Sequence, residues 1–265
     1  MSLPAAPAPE GAVHLRIDQG IAQVLFDRPQ ARNAMTWAMY EALVEICGQL
    51  REDATVRVVS FRGVGGEAFV AGTDIAQFQA FRSGDDGVAY ESRIDAAIAA
   101  LEALPMPTVA VIEGWAVGGG LAIAAACDLR IGTPAARLGV PIARTLGNCL
   151  SMANLARLIA VLGKARVQRM LIGAEILEAA EALACGFLVQ VVAPDVLDAE
   201  AEKLCRRLSG LAPVTQAVTK ESLRRLLVKE LPDARDLIHR CYGSQDFREG
   251  VDAFAGKRPP RWQGR

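Results

Sequence analysis

The sequence predicts an α/β fold with parallel strand pairing, followed by a helical C-terminal region. Three observations carry that prediction. Short β-branched runs alternate with helix-period segments over the first half of the chain, the order that a parallel sheet with crossover helices requires. Two of the strand-like runs pass through glycine-rich turns toward helices. Beyond residue 195 the apolar residues recur only at helical spacing. The expected organisation is a leader over 1–12, an α/β core over 13–195 and a helical region over 196–265.

Residues 1–9, rich in alanine and proline, lack the basic end and apolar run of a signal peptide, so the leader reads as disordered. Residues 13–17 and 21–26 flank Asp18-Gln19-Gly20, a hairpin signal. Thr36 is placed to cap a helix whose Met39, Leu43, Ile46 and Leu50 share one face. Residues 56–62 read as a strand that leads through Gly63-Val64-Gly65-Gly66 to a turn at 69–75. There Asp74 can cap a following helix. Residues 86–104 read as a helix closed by Pro105 and Pro107, with a strand next at 108–113. The stretch 109–122 runs from a buried strand through Gly118-Gly119-Gly120 into an apolar helix. Leu129-Arg130-Ile131 is a further short strand, and Asn148 or Ser151 can cap a helix over 150–161. In the last part, Leu197, Ala201, Leu204 and Leu208 form a stripe, Pro213 opens a helix, and Phe247, Val251 and Phe254 recur after Ser244.

A chain of 265 residues, 52% hydrophobic with net charge −1, gives no electrostatic reason to expect nucleic acid or an anionic membrane surface. The apolar span 109–127 holds Glu113 and four glycines, so it reads as strand plus helix and not as a membrane span. Cysteines 47, 127, 149, 185, 205 and 241 are dispersed, without a CxxC pair or histidine at ligand spacing. They read as reduced thiols of a cytoplasmic protein with no metal site. The glycine turn lacks the GxGxxG spacing of a dinucleotide site, and no GxSxG elbow is present.

The glycine triplet carries the chemistry. Without Cβ atoms its amides lie open, and at a helix start they have no partner inside the helix. The helix dipole adds its preference for negative charge. The same glycines would also serve where a helix packs tightly on a sheet. The Thr73 amide, just ahead of Asp74, is a second candidate donor, and two such units can aim two amides at one oxygen.

Five segments in register extend this reading: Arg28-Pro29-Gln30-Ala31-Arg32-Asn33-Ala34, Phe69-Val70-Ala71-Gly72-Thr73-Asp74-Ile75, Gly114-Trp115-Ala116-Val117-Gly118-Gly119-Gly120, Ala126-Cys127-Asp128, and 247–254 with Lys257-Arg258-Pro259. In order and spacing they resemble the signatures of the crotonase superfamily, the enoyl-CoA hydratases and isomerases. The resemblance implies an α/β spiral of ββα units with a C-terminal helical trimerisation region, in a homotrimer or homohexamer. It implies an acyl-CoA substrate, with coenzyme A as part of the substrate and no separate cofactor. It maps two backbone oxyanion donors onto Thr73 and Gly119. Substrate contacts fall on Gln30, Ala31, Arg32, Ala71, Gly72, Asp74, Ile75 and Gly118, and Lys257 is placed to reach the CoA phosphates of a neighbouring subunit.

The resemblance also shows what is missing. The two hydratase glutamates fall on Ala122 and Ile142, and neither side chain can hold or activate water. Standard hydration is therefore not expected, and isomerisation, decarboxylation or another lyase step takes its place. Arg144 and Asn148 are candidate catalytic groups at the acyl end, with helix capping the plainer role for Asn148. Cys149 has no evident base, since the only histidines are His14 and His239. Asp85, Asp86, Tyr90, Glu91 and Arg93 share a charge-rich helix that reads as solvated surface, although Glu91 is a candidate base. The alternatives are a hydratase with a relocated acid/base and a non-catalytic acyl-CoA-binding homologue.

Overall fold

The computed structural model describes residues 10–228, 233 and 235–263, so the leader expected over 1–12 lies, for residues 1–9, outside the described residues. Its last residue, Ala12, already belongs to a strand. β1 (Ala12–Asp18) and β2 (Ile21–Asp27) form the expected antiparallel hairpin. Gln19 and Gly20 turn it with φ of 47° and 77°, the double left-handed geometry that matches strand twist. Thr36 Oγ1 accepts from Met39 N at 3.3 Å and starts α1 (Trp37–Glu52), whose Met39, Leu43, Ile46 and Leu50 are buried as expected.

Three strand–strand–helix units follow. The first is β3 (Val58–Gly63), β4 (Ala68–Val70), a 3₁₀ helix at Ile75–Ala80 and α2 (Gly84–Glu102). The second is β5 (Thr108–Ile112), β6 (Trp115–Val117) and α3 (Gly119–Ala126). The third is β7 (Leu129–Gly132), β8 (Arg137–Gly139) and the short α4 (Ile142–Thr145). Then come α5 (Met152–Leu162), α6 (Lys164–Leu171), β9 (Ile176–Glu178), α7 (Ala179–Ala184) and β10 (Gln190–Val191). Beyond residue 195 lie α8 (Leu197–Ser209), α9 (Pro213–Val228), α10 (Arg235–Tyr242) and α11 (Gln245–Ala255).

Each unit gives one strand to each of two sheets. One sheet has the order β1-β2-β3-β5-β7-β10, parallel from β2 onward; the other has the order β4-β6-β8-β9, with only β9 antiparallel. The single strand expected ahead of the glycine triplet is therefore two strands in different sheets. Gly114, at φ 62°, makes the switch, and a Cβ there would stand 1.8 Å from the Glu67 carbonyl oxygen.

The larger sheet is sealed on one side by α8. Its Leu197, Ala201, Leu204 and Leu208 pack on Val58, Val109, Val111 and Ile131. α10 and α11 return to the other side of the molecule. The Tyr242 ring fills the notch left by Gly87 on α2, and Phe247 meets Phe78 and Phe81. Of the stripe expected on α11, Phe247 and Val251 are buried while Phe254 is 52% exposed, because it stands in the last turn, past the helix's contact with 75–80.

Candidate active site

The first candidate amide is positioned by a buried hydrogen-bond frame. Asn33, at φ 58°, accepts from Arg28 N at 2.9 Å and donates to the carbonyls of Val64 and Ala68, each at 2.9 Å. Arg32 O accepts from Ala71 N at 3.0 Å, Met35 N donates to Gly72 O at 2.8 Å, and Asp74 N donates to Met35 O at 2.9 Å. Thr73 sits between these last two bonds, and among the described residues its own N–H has no acceptor. Arg28 is buried and pairs with Asp74 at 2.7 Å. The other Asp74 oxygen caps the 75–80 turn through Ala76 N at 3.0 Å, so this carboxylate is held within the frame.

Asn33→Ala leaves Arg28 N and two carbonyls without their partner. It is expected to cost about 2–4 kcal/mol, read as a lower denaturant midpoint with an unchanged m-value. A loss under about 0.5 kcal/mol would mean that the frame is held by other contacts.

The second candidate amide comes from the unit next door. Gly118 adopts φ 55° and ψ −119°, a conformation closed to other residues, and donates to Gly139 O at 2.9 Å. Gly119 then opens α3 with its N–H lacking an acceptor among the described residues. The two readings of the glycine triplet separate residue by residue. A Cβ on Gly120 would stand 2.0 Å from Val70 O, so that glycine exists for helix-on-strand packing. A Cβ on Gly119 would instead meet Tyr40 Oη at 2.4 Å and Thr73 Oγ1 at 3.4 Å. The segments 72–73 and 117–119 thus lie side by side.

Around them the surface is aromatic and hydroxylic. Thr73 Oγ1 bonds Tyr40 Oη at 3.0 Å and Tyr90 Oη at 2.9 Å. Burial pushes the Tyr40 phenol up to about 12 and raises that of Tyr90, so both stay neutral donors and acceptors. The sequence alone gives neither tyrosine this role. The available signal was Tyr40 lying beside Met39 on a buried stripe, where a hydroxyl must find a partner.

Glu91 overturns the solvated-surface reading of α2. It is 2% exposed, with Tyr242 Oη donating to Oε1 at 2.6 Å and Ser151 N donating to Oε2 at 2.8 Å. Burial pushes its carboxyl up to about 7, against the pull of those two hydrogen bonds. Asp85 and Arg93 on the same helix do face solvent.

Helix α5 is capped by Ser151, whose Oγ accepts from Asn154 N at 3.1 Å, and not by Asn148. Asn148 Nδ2 donates to Tyr242 Oη at 3.2 Å, and its Oδ1 is buried without a partner among the described residues. Arg144 is exposed at the end of α4 and makes no ion pair among the described residues. The Cys149 thiol gives its hydrogen bond to Cys241; that bond and burial push its pKa up, which disfavours a nucleophilic thiolate.

Of the expected substrate contacts, Gln30 and Arg32 are exposed and Ala31 is half-buried. Arg32 stands 3.8 Å from the Glu67 carboxylate in an exposed pair. Ala71 and Ile75 are half-buried, Gly72 is buried, and Lys257 is exposed just past α11. Ala122 is buried and Ile142 half-buried, both within the apolar core.

The sequence model of the enoyl-CoA hydratase/isomerase family matches residues 16–265. The chain belongs to this family. Its fold is the crotonase fold, as expected from the five segments. It is 33% identical to the bovine (Bos taurus) mitochondrial enoyl-CoA hydratase domain-containing protein 2, over 93% of this chain and 86% of that protein. Among solved structures, an enoyl-CoA hydratase/carnithine racemase from Magnetospirillum magneticum superposes with a TM-score of 0.78 at 31% identity, covering 96% of each chain. An enoyl-CoA hydratase from Mycobacterium avium subsp. paratuberculosis K-10 gives 0.82 at 28% identity, covering 95% of this chain and 98% of that one.

Proposed function

We propose that the protein is an acyl-CoA-thioester enzyme that stabilises a thioester enolate between the amides of Thr73 and Gly119. One observation carries this reading: two N–H groups on adjacent segments have no protein acceptor among the described residues. Fixed amides stabilise charge on a thioester oxygen better than water, because they need not reorient. Each is typically worth about 3–4 kcal/mol in the barrier. With Ala122 and Ile142 at the hydratase glutamate positions, the chemistry is double-bond isomerisation, decarboxylation or another lyase step.

A second reading, hydratase chemistry with a relocated acid/base, is favoured by Glu91 alone, a buried carboxyl near neutrality as general acid–base work requires. Gln30, Ala31 and Arg32 are assigned to the CoA nucleotide, and Lys257 to the CoA of a neighbouring subunit. A homotrimer or homohexamer accords with the apolar side chains exposed on α9, among them Val214 at 74% and Leu226 at 75%.

The test is incubation with saturated, unsaturated and carboxylated acyl-CoA thioesters in D₂O, followed by mass spectrometry. Deuterium at the α carbon is expected, with loss of CO₂ marking a decarboxylase and added water a hydratase. Tight binding with no exchange on any thioester would make the chain a binding homologue and end the enzyme reading.

A further inference from the structure

Two of the six cysteines differ from the rest in where they stand. Cys47, Cys127 and Cys205 are no more than 3% exposed. Burial pushes their thiols up to about 12, about 12 and about 11, so they are shielded and inert. Cys185 is half-buried and gives its hydrogen to the Ala182 carbonyl at 3.4 Å. Cys149 and Cys241 are half-buried too, and they meet: the Cys149 thiol donates to the Cys241 sulfur.

The backbone holds this pair together. Cys149 lies on the loop between α4 and α5, and Cys241 in the last turn of α10. Cys241 Sγ donates to Gly147 O at 3.2 Å, and Tyr242 Oη stands 3.4 Å from Cys149 O. On its far side the loop rests on α11. A Cβ on Gly250 would stand 2.3 Å from Leu146 O, and one on Gly147 would stand 3.2 Å from Asp246 O. The two thiols are thus presented to each other by segments about 90 residues apart in sequence, the separation at which a crosslink most restrains an unfolded chain. Thiols in contact and within reach of solvent are the arrangement in which an oxidised sulfur finds its resolving partner at hand.

We propose that Cys149 and Cys241 form a reversible disulfide on exposure to hydrogen peroxide, tying α10 to the loop between α4 and α5. The direction of the hydrogen bond sets the order of events. The Cys149 hydrogen stabilises negative charge on Cys241, whose thiol is lowered from its ordinary value. Cys241, as thiolate, attacks one peroxide oxygen. The O–O bond breaks, the leaving hydroxide takes a proton to become water, and Cys241 is left as a sulfenic acid. Cys149 sulfur then displaces the sulfenic hydroxyl, which departs as a second water with the Cys149 proton. Two thiols lose two electrons, and one peroxide is reduced to two waters.

The experiment treats the full-length protein with excess hydrogen peroxide and reads intact mass, a non-reducing peptide map and the thermal midpoint. The mass is expected to fall by about 2 Da, with the peptides holding Cys149 and Cys241 joined and then separated by dithiothreitol. The joined form is expected to melt about 5–10 °C above the reduced protein. In Cys149→Ser, which keeps a hydrogen for Cys241 but cannot resolve it, dimedone is expected to label Cys241. In Cys241→Ser no sulfenic acid is expected at Cys149. No loss of mass, a crosslink through another cysteine, or oxidation that dithiothreitol does not reverse overturns the site. Dimedone labelling of Cys149 in Cys241→Ser overturns the order of attack. A joined pair with an unchanged midpoint overturns the tying of α10. The acyl-CoA reading stands or falls separately, since none of these readouts involves a thioester.

Discussion

Gly119→Pro in a Tyr40→Phe background is expected to slow α-hydrogen exchange by about 10²–10³-fold relative to Gly119→Ala in the same background. Either residue places a carbon where Tyr40 Oη would stand at 2.4 Å, and phenylalanine removes that oxygen. Gly119 is the first residue of α3, where proline's fixed φ suits the helix and its missing N–H breaks no intrahelical bond. The preceding Gly118 is outside the α region that proline disfavours in its neighbour. What separates the two variants is the amide hydrogen. Matching thermal midpoints with divergent exchange rates would identify that hydrogen as the donor. Matching rates would remove Gly119 from the chemistry.

Glu91→Gln is expected to flatten one segment of the stability–pH profile. Burial raises the folded carboxyl from 4.5 to about 7, so between those values the native state keeps a proton that the unfolded chain has released. Wild-type stability should therefore be highest below pH 4.5 as far as this group is concerned. It declines as pH rises to 7, by about 3 kcal/mol in all, and is level above that. Glutamine carries no charge to desolvate. Asp95, whose carboxyl is also raised by burial, titrates in both proteins and cancels in their difference. Urea midpoints measured from pH 4.5 to 8 on both proteins should give a difference curve that slopes only inside this window. A level difference would mean that Glu91 is solvated.

The elements legible in the sequence are those whose pattern is complete within a few turns. The β1–β2 hairpin, the buried face of α1 and the α8 stripe each repeat their period often enough to be read. β4, β6 and β8 have three residues each, too few to display an alternation, and glycine at 114 hides a change of sheet inside one apparent strand. The site divides the same way. The glycine triplet is visible as a motif, yet the separate duties of Gly119 and Gly120 depend on Tyr40 and Val70, which approach from other elements. Glu91 is set among Asp85, Asp86 and Arg93, which is the composition of a wet helix face. The groups that change its meaning are Ser151 and Tyr242, 60 and 151 residues away in the chain.

The two candidate donors occupy corresponding stations on successive laps of the spiral: strand in the large sheet, strand in the small sheet, start of a helix. At the same station on the third lap stands Ile142. On the function proposed above, the anion-binding capacity of this repeated station lies in the path of the main chain. On that reading, alanine at 122 and isoleucine at 142 leave the main-chain donors in place and change only the reaction they serve.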